Sequence, residues 1–125
     1  MNGTRHVRAL RGATTVERDE ATEIGAATRE LLEAIIERNG LHDADIVSAF
    51  FTVTPDLASD FPASAARELG WADVPLLCTV EIPVAHALAR CVRVLLHVET
   101  DRPRSDMRHV YLRGAQALRP DLLGG

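Results

Sequence analysis

The sequence contains no lysine: all 14 of its Lys and Arg residues are arginines. Schiff-base enzymes, pyridoxal-phosphate enzymes and P-loop nucleotidases each need a lysine amine at the reacting centre, so these classes are excluded. Arginine instead supplies a permanently charged planar fork, which can hold a carboxylate through two hydrogen bonds.

Cysteines, aromatic residues and long apolar runs are also scarce. Two cysteines, Cys78 and Cys91, are too few for a disulfide scaffold, and the polar, arginine-rich N-terminus does not resemble a signal peptide. We therefore expect free thiols and a cytoplasmic location. A membrane-spanning helix needs about 18 consecutive apolar residues, and no apolar run in the sequence approaches that length, so no membrane partner is expected. The five histidines and two cysteines lack metal-site spacing, and we expect no metal.

Length and charge point to one small domain. The chain has 125 residues, 46% hydrophobic and 26% charged, which is typical of a single domain over residues 1–125. The net charge of -4 would repel nucleic acid, so no nucleic-acid partner is expected. A chain of this size has little surface to spare for a deep pocket, and a site between subunits would solve that problem.

Hydrophobic periodicity predicts the order strand, helix, strand, helix and then three strands. The predicted strands are 5–11, 46–54, 74–82, 89–100 and 107–118, the first closed by Gly12 and the last interrupted near Gly114. The predicted helices are 16–39 and 62–69, followed by Gly40 and Gly70. An α+β fold results, with a mixed five-stranded sheet, helices on one face and the other face free for a partner.

Acidic residues cluster at the start of the first predicted helix, at Glu17, Asp19, Glu20 and Glu23. Negative charge is favourable at a helix N-terminus. We interpret the cluster as a solvated helix face and not as a metal site.

Arginines inside or at the ends of apolar strands carry the clearest functional signal, at Arg11, Arg93 and Arg119. Arg93 stands between Val92 and Val94. A lone arginine of this kind usually points at water, but a buried guanidinium is costly unless an anion meets it, and several together favour an anion site.

For three further residues, a structural role explains the sequence as well as a functional one does. Glu81 is the only carboxylate between Asp73 and Glu99, and it is either a solvated or structural acid or a substrate-facing one. Tyr111 suits a core position with its hydroxyl at the surface, and Cys78 suits a buried inert thiol. From the chemistry of the residues alone, we expect either an enzyme or a receptor whose ligand is a small anion bearing carboxylates.

Six segments of the sequence, taken together, allow a more specific prediction. In chain order they are RGATTVERD (11–19), TPDLASDFPASAAREL (54–69), CTVE (78–81), CVRV (91–94), RHVYL (108–112) and LRPDL (118–122). Together, from about residue 8 to about residue 122, they resemble the monofunctional chorismate mutases of the trimeric pseudo-α/β-barrel class.

The resemblance implies a homotrimer with active sites between neighbouring subunits. It implies a Claisen rearrangement of chorismate to prephenate, in phenylalanine and tyrosine biosynthesis, with no cofactor, metal or covalent intermediate. The alternative from another class is a catalytically silent trimeric sensor of small anions, because a fold alone does not fix a function.

The resemblance also assigns roles to single residues. Arg93 matches the arginine that donates to the ether oxygen, and Glu81 the carboxylate that accepts from the ring hydroxyl. Cys78 matches a residue that orients that hydroxyl, while Arg11 and Tyr111 match groups that hold substrate carboxylates. Arg11, Arg93 and Tyr111 are expected to face Glu81 and Cys78 across a subunit boundary.

Further substrate-binding positions follow from the same resemblance. Those matching the lining, the rim and the covering C-terminal segment are Phe61, Ala63, Arg67, Leu118 and Arg119. Ser64 stands where a lysine can occur in the family and Leu77 where a threonine can occur. Both departures should reduce substrate affinity more than the chemical step, Ser64 by removing a rim charge.

Overall fold

A computed structural model describes residues 4–118 of the chain. The strands are β1 (His6–Thr15), β2 (Ile46–Val53), β3 (Leu76–Val80), β4 (Cys91–Thr100) and β5 (Val110–Tyr111), and the α-helices are α1 (Ala21–Asn39) and α2 (Ala63–Glu68). Three short 3-10 helices lie at Asp43–Asp45, Arg104–Asp106 and Arg113–Leu118. The predicted order of strands and helices is confirmed.

The five strands form one mixed sheet in the order β3-β2-β4-β1-β5. Strand β4 lies at its centre and runs antiparallel to both β1 and β2. The two outer pairs, β2 with β3 and β1 with β5, are parallel. This confirms the α+β class and the mixed five-stranded sheet.

One face of the sheet is covered by the helices. Residues of β4 that point toward α1 are aliphatic and buried, and they meet buried residues of the helix such as Leu31 and Ile35. A Cβ on Gly12 of β1 would lie 2.7 Å from Ile35 Cδ1, so α1 approaches the sheet closely at this point. The core therefore sits between the helices and this face.

The other face carries large apolar side chains that are exposed in the single chain. They include Val7 on β1, Phe50 on β2, Leu77 on β3 and Leu95 on β4. We call this surface the open face. Its exposure confirms the prediction that the helices cover only one face of the sheet. Within residues 4–118, no helix is both long and apolar enough to cross a membrane.

Strand β1 is longer than predicted. It continues through Gly12 to Thr15, because Gly12 is not a turn residue here but the point where α1 packs tightly against the strand. The prediction that Gly12 ends the strand is therefore wrong.

Helix α1 begins at Ala21, five residues later than predicted, because the acidic residues before it build a loop. The Glu23 carboxylate accepts hydrogen bonds from the backbone N–H groups of Glu17 and Arg18, at 2.8 and 3.1 Å. Asp19 Oδ1 accepts from the N–H groups of Ala58 and Ser59, both at 3.0 Å. Asp19 and Glu23 are thus loop anchors, whereas Glu17 and Glu20 are exposed but precede the helix instead of forming one of its faces.

The predicted fifth strand is mostly helical. Only Val110 and Tyr111 pair with β1, and the chain then turns at Arg113, whose φ is 53°, into the 3-10 helix Arg113–Leu118. This helix places Ala115 in a small buried cluster with Ala13 and Cys91 on the open side of the sheet. It therefore covers one end of the open face.

Candidate active site

Strand alternation places Arg93 on the open face. Its neighbours Val92 and Val94 point into the core, so the guanidinium emerges on the opposite side, where the Arg93 side chain is 46% exposed. In the register of the sheet, Arg93 lies beside Ala13 of β1 and Thr52 of β2. Arg93 is therefore half-buried at the centre of the sheet.

Glu81 follows the end of β3 and extends its pairing with β2, since its backbone N–H donates to the Val53 carbonyl at 2.8 Å. Its carboxylate turns toward the open face. There, Oε2 accepts a hydrogen bond from the Thr52 hydroxyl and lies 3.7 Å from Arg93 Nε. The Glu81 carboxylate and the Arg93 guanidinium of the predicted site are thus brought together within one chain.

A cavity of about 350 Å³ opens around this pair. Its lining residues are Arg11, Gly12, Phe50, Thr52, Glu81, Arg93, Val94, Leu95 and Tyr111. Four residues singled out from the sequence, Arg11, Glu81, Arg93 and Tyr111, share it. Two guanidinium groups and one carboxylate give the lining a net positive charge, which suits a small anion.

The expected division of the site between subunits is wrong for Glu81. We expected Glu81 to meet Arg93 and Arg11 across a subunit boundary, but the three line a single cavity of one chain. The difference arises because Glu81 continues the pairing of β3 with β2, and β2 is the strand next to β4, which carries Arg93.

Arg11 and Tyr111 are held at the β5 side of the cavity. The Arg11 backbone N–H donates to Nδ1 of His109 at 3.0 Å, and Tyr111 lies beside Ala13 in the parallel pair of β1 and β5. Tyr111 is buried against Ala115 and Leu118. Short pairing with β5 therefore fixes both residues relative to Arg93.

Cys78 and Phe61 lie in a second cavity of about 370 Å³. It is formed by the loop before α2 and by β3, with lining residues Val53, Leu57, Ala58, Ser59, Asp60, Phe61, Pro62, Cys78, Thr79 and Val80. Phe61 is largely exposed, whereas Cys78 is half-buried and packs against the core. The structure does not bring these two residues into the first cavity.

The remaining predicted residues lie near one of the two cavities or outside them. On α2, Ser64 Oγ accepts from Arg67 Nη2 and donates to Asp60 Oδ1, both at 3.3 Å. Ala63 is buried in the core, and Leu77 is exposed on the open face. Leu118 is half-buried beside Tyr111 and Cys91, and Arg119 lies outside the described residues.

The start of β4, at Cys91, and the preceding Arg90 are tied to the segments that follow β1 and β2. Asp56 accepts from the backbone N–H of Arg90 at 3.0 Å and from the Thr54 hydroxyl at 2.5 Å. The same hydroxyl accepts from the Cys91 N–H at 2.9 Å. Arg90 has a left-handed backbone, with φ of 49°, and its Nε donates to the Val16 carbonyl.

The Cys91 thiol is buried on the same side of β4 as Arg93. Burial raises its pKa, and the nearby Arg93 guanidinium opposes this shift. The thiol is therefore neutral near pH 7 and adds no charge to the site. Within residues 4–118, no three His, Cys, Asp or Glu side chains are grouped so as to hold a metal ion.

Sequence reasoning did not single out Thr52 and Phe50. Both point into the first cavity from β2, and Phe50 also packs edge-on against the His97 ring, with 5.9 Å between ring centroids. The available signal was the alternation of β2, in which Ala49, Phe51 and Val53 are buried and the residues between them face outward.

The fold and the cavity together define an α+β protein with an open sheet face and, on that face, a cavity whose lining carries a net positive charge. Residues 7–122 match the family model of chorismate mutase type I. The chain is 50% identical to the chorismate mutase AroH of Bacillus subtilis (strain 168) over 117 residues, which are 93% of this chain and 92% of that protein. It is 51% identical to AroH of Thermus thermophilus over 117 residues, 93% and 96% of the two chains.

A solved structure agrees with these relatives. The structure of a chorismate mutase from Clostridium thermocellum matches with a TM-score of 0.86 and 50% identity, covering 87% of this chain and 97% of that one. The chain belongs to the chorismate mutase type I family. The resemblance read from the sequence is thus confirmed, and with it the enzyme class, an isomerase.

Proposed function

We propose that this chorismate mutase carries out its reaction, the conversion of chorismate to prephenate, in the first cavity, with Arg93 as the principal catalytic residue. The reaction breaks a carbon–oxygen bond, and negative charge grows on the ether oxygen as it breaks. A guanidinium directed at that oxygen binds more strongly as the charge develops, which lowers the barrier instead of merely tightening binding. The observation that carries the proposal is the joint lining of one cavity by Arg93, Glu81, Arg11 and Tyr111.

Glu81 and the groups at the β5 side select the reactive substrate conformation. The rearrangement is unimolecular, so the enzyme must hold both ends of the substrate in a compact arrangement. Arg11 and Tyr111 suit the substrate carboxylates, since arginine forms two-bond contacts with them. Glu81, on the other side of Arg93, suits the ring hydroxyl, from which an ionised carboxylate accepts.

We also propose that the active enzyme is a homotrimer whose open faces pack together. The exposed apolar residues of that face support an interface between copies, because contiguous apolar patches on a soluble chain mark interaction surfaces. The second cavity, with Cys78 and Phe61, would then complete the first cavity of a neighbouring subunit. Arg67, Ser64 and Leu77 would contribute at its rim, and Leu118 with Arg119 would cover the cleft.

A cytoplasmic location in phenylalanine and tyrosine biosynthesis completes the proposal. Both cysteines, Cys78 and Cys91, are free thiols in the structure. Free thiols are usual in a reducing compartment. The substrate and product, chorismate and prephenate, belong to that pathway.

Substitution of Arg93 tests the proposed chemistry. The Arg93→Ala variant should lose turnover about a hundred- to a thousandfold, as when one donor to a developing oxyanion is removed. The trimer should persist, because the side chain is half exposed and outside the core. The Arg93→Lys variant should recover turnover only in part, since an ammonium lacks the reach of the guanidinium fork.

The measurement is the loss of chorismate absorbance, run beside a sedimentation mass. Wild-type turnover in the Arg93→Ala variant would rule out the role of Arg93. A monomeric wild-type enzyme with full activity would rule out the shared site.

A further inference from the structure

We propose that Thr52 is a positioning residue that holds the Glu81 carboxylate away from Arg93 and leaves it free to accept from the substrate. The inference rests on the roles proposed above for Glu81 and Arg93. Thr52 touches no reacting atom in this proposal. It acts through the carboxylate to which its hydroxyl donates.

Thr52 occupies the position between the two charged groups. In the register of the sheet it lies beside Arg93 of β4 on one side and beside Thr79 of β3 on the other. Neighbouring strands are about 4.8 Å apart, so β2 alone separates the strand of Arg93 from the strand that leads to Glu81. The Thr52 hydroxyl therefore points into the gap between cation and anion.

The contacts show a carboxylate held short of full ion pairing. An ionised carboxylate only accepts, so the Thr52 hydroxyl is the donor to Oε2. The same oxygen lies 3.7 Å from Arg93 Nε, whereas a charge-assisted hydrogen bond between such groups is about 2.7–2.9 Å long. Oε2 is thus committed to Thr52, and Oε1 is left to accept from the substrate hydroxyl.

Without the Thr52 hydroxyl, the Glu81 carboxylate and the Arg93 guanidinium could form a direct ion pair instead. Guanidinium and carboxylate groups prefer a fork with two parallel hydrogen bonds. Such a fork would occupy the Arg93 donors that the ether oxygen needs and the Glu81 oxygens that the substrate hydroxyl needs. Thr52 favours the open arrangement in the empty enzyme, so its removal should affect the chemical step more than binding.

The experiment compares Thr52→Val with Thr52→Ser. Valine keeps the shape of threonine and suits a strand, so the fold and the trimer should be retained. We expect kcat of Thr52→Val to fall about ten- to a hundredfold with a smaller change in KM, because a hydrogen bond to a charged group is lost. Thr52→Ser should restore most of kcat, since it restores the hydroxyl.

A matched control is Thr28→Val on α1. The Thr28 hydroxyl is buried and meets no hydrogen-bond partner among residues 4–118, and it lies on the helix-covered side, outside both cavities. The same chemical change there should leave kcat unaltered. Equal losses in Thr28→Val and Thr52→Val would overturn the proposal, as would a Thr52→Ser variant as slow as Thr52→Val.

A double-mutant cycle with Glu81→Gln separates this inference from the proposed mechanism. If Thr52 acts through the carboxylate, Thr52→Val should cost little further activity in the Glu81→Gln background. Fully additive losses would overturn the positioning role while leaving the mechanism in place. Wild-type kcat in Glu81→Gln alone would refute the proposed role of Glu81, and the inference with it.

Discussion

The two faces of strand β4 differ in composition although they belong to the same ten residues. The helix-covered face presents Val92, Val94, Leu96 and Val98, all buried. The open face presents Cys91, Arg93, Leu95, His97 and Glu99, of which Cys91 alone is buried. The first set stabilises the single chain, and the second is the one for which we propose contacts with substrate and with other copies.

This difference shows how a small chain combines stability with a reactive site. Charged groups on the open face would be costly in the core, where a lone guanidinium lacks solvent. By confining them to one face, strand alternation keeps the core apolar while the central strand of the sheet carries Arg93, the proposed catalytic residue. A site on the central strand is also held more rigidly than one on a loop.

The largest expected effect comes from paired substitutions on the two faces, Leu96→Ala and Leu95→Ala. Leu96 is fully buried under the helices, so its truncation should lower the free energy of unfolding by about 2–5 kcal/mol. Leu95 is partly exposed in the single chain, and its truncation should act mainly on trimer association. Chemical denaturation at several protein concentrations measures both.

Concentration dependence distinguishes the two faces. The destabilisation by Leu96→Ala should be similar at every protein concentration, because Leu96 packs in the core of its own chain. That by Leu95→Ala should grow on dilution, since oligomer stability depends on protomer concentration. A Leu95→Ala variant with an unchanged trimer mass on dilution would contradict the assignment of the open face to the interface.

Much of this two-faced sheet was predictable, because alternation and helical periodicity are local properties. The register of Arg93 between two core valines and the stripe of apolar residues on α1 are both visible in the chain. The extent of β1 was not predictable, since Gly12 looks like a turn residue until the close approach of Ile35 is known. Nor was the start of α1, where Asp19 binds a loop about forty residues away along the chain.

An intermediate effect is expected from Asp56→Ala, which removes the anchor at the start of β4. Asp56 accepts from Arg90 and Thr54 and thereby sets where the alternation of β4 begins. A one-residue slip would exchange the two faces, so this anchor protects their separation. We expect the free energy of unfolding to fall by about 1–2 kcal/mol, measured by thermal or chemical denaturation.

The matched variant Asp56→Asn keeps one acceptor oxygen and should lose less stability than Asp56→Ala. Equal stability of Asp56→Ala and wild type would mean that pairing with the neighbouring strands alone fixes the register. The two variants together therefore show whether the Asp56 carboxylate or strand pairing alone fixes the register of β4.

The site itself was predictable only through family resemblance. Arg93 and Arg11 stand out in the sequence as unusual strand arginines, whereas Glu81 and Tyr111 suit a structural role as well as a functional one. Their meeting depends on pairing between segments far apart in the chain, such as Ala13 with Tyr111. Thr52 went unnoticed because a threonine in a strand is ordinary until its partner across the sheet is known.

The smallest expected effect depends on pH and concerns Asp19, an exposed residue of the loop before α1. Hydrogen bonds from the N–H groups of Ala58 and Ser59 and from the Ser59 hydroxyl lower its pKa, against a smaller opposing effect of burial. A lowered carboxyl pKa in the folded state adds stability above the unfolded value, about 4, and that stability is lost as pH falls through the folded value. The Asp19→Asn variant should thus be less stable than wild type near neutral pH.

The difference between Asp19→Asn and wild type should shrink as the pH is lowered below about 4, because both then carry a neutral side chain at this position. Denaturation midpoints across that range provide the measurement, with Asp73→Asn as a control at another exposed aspartate. A difference that stays constant with pH would show that Asp19 holds the Ala58–Ser59 loop by shape and not by charge. A shrinking one would mean that acid weakens the loop beside the second cavity, while the apolar contacts of the open face carry no such dependence.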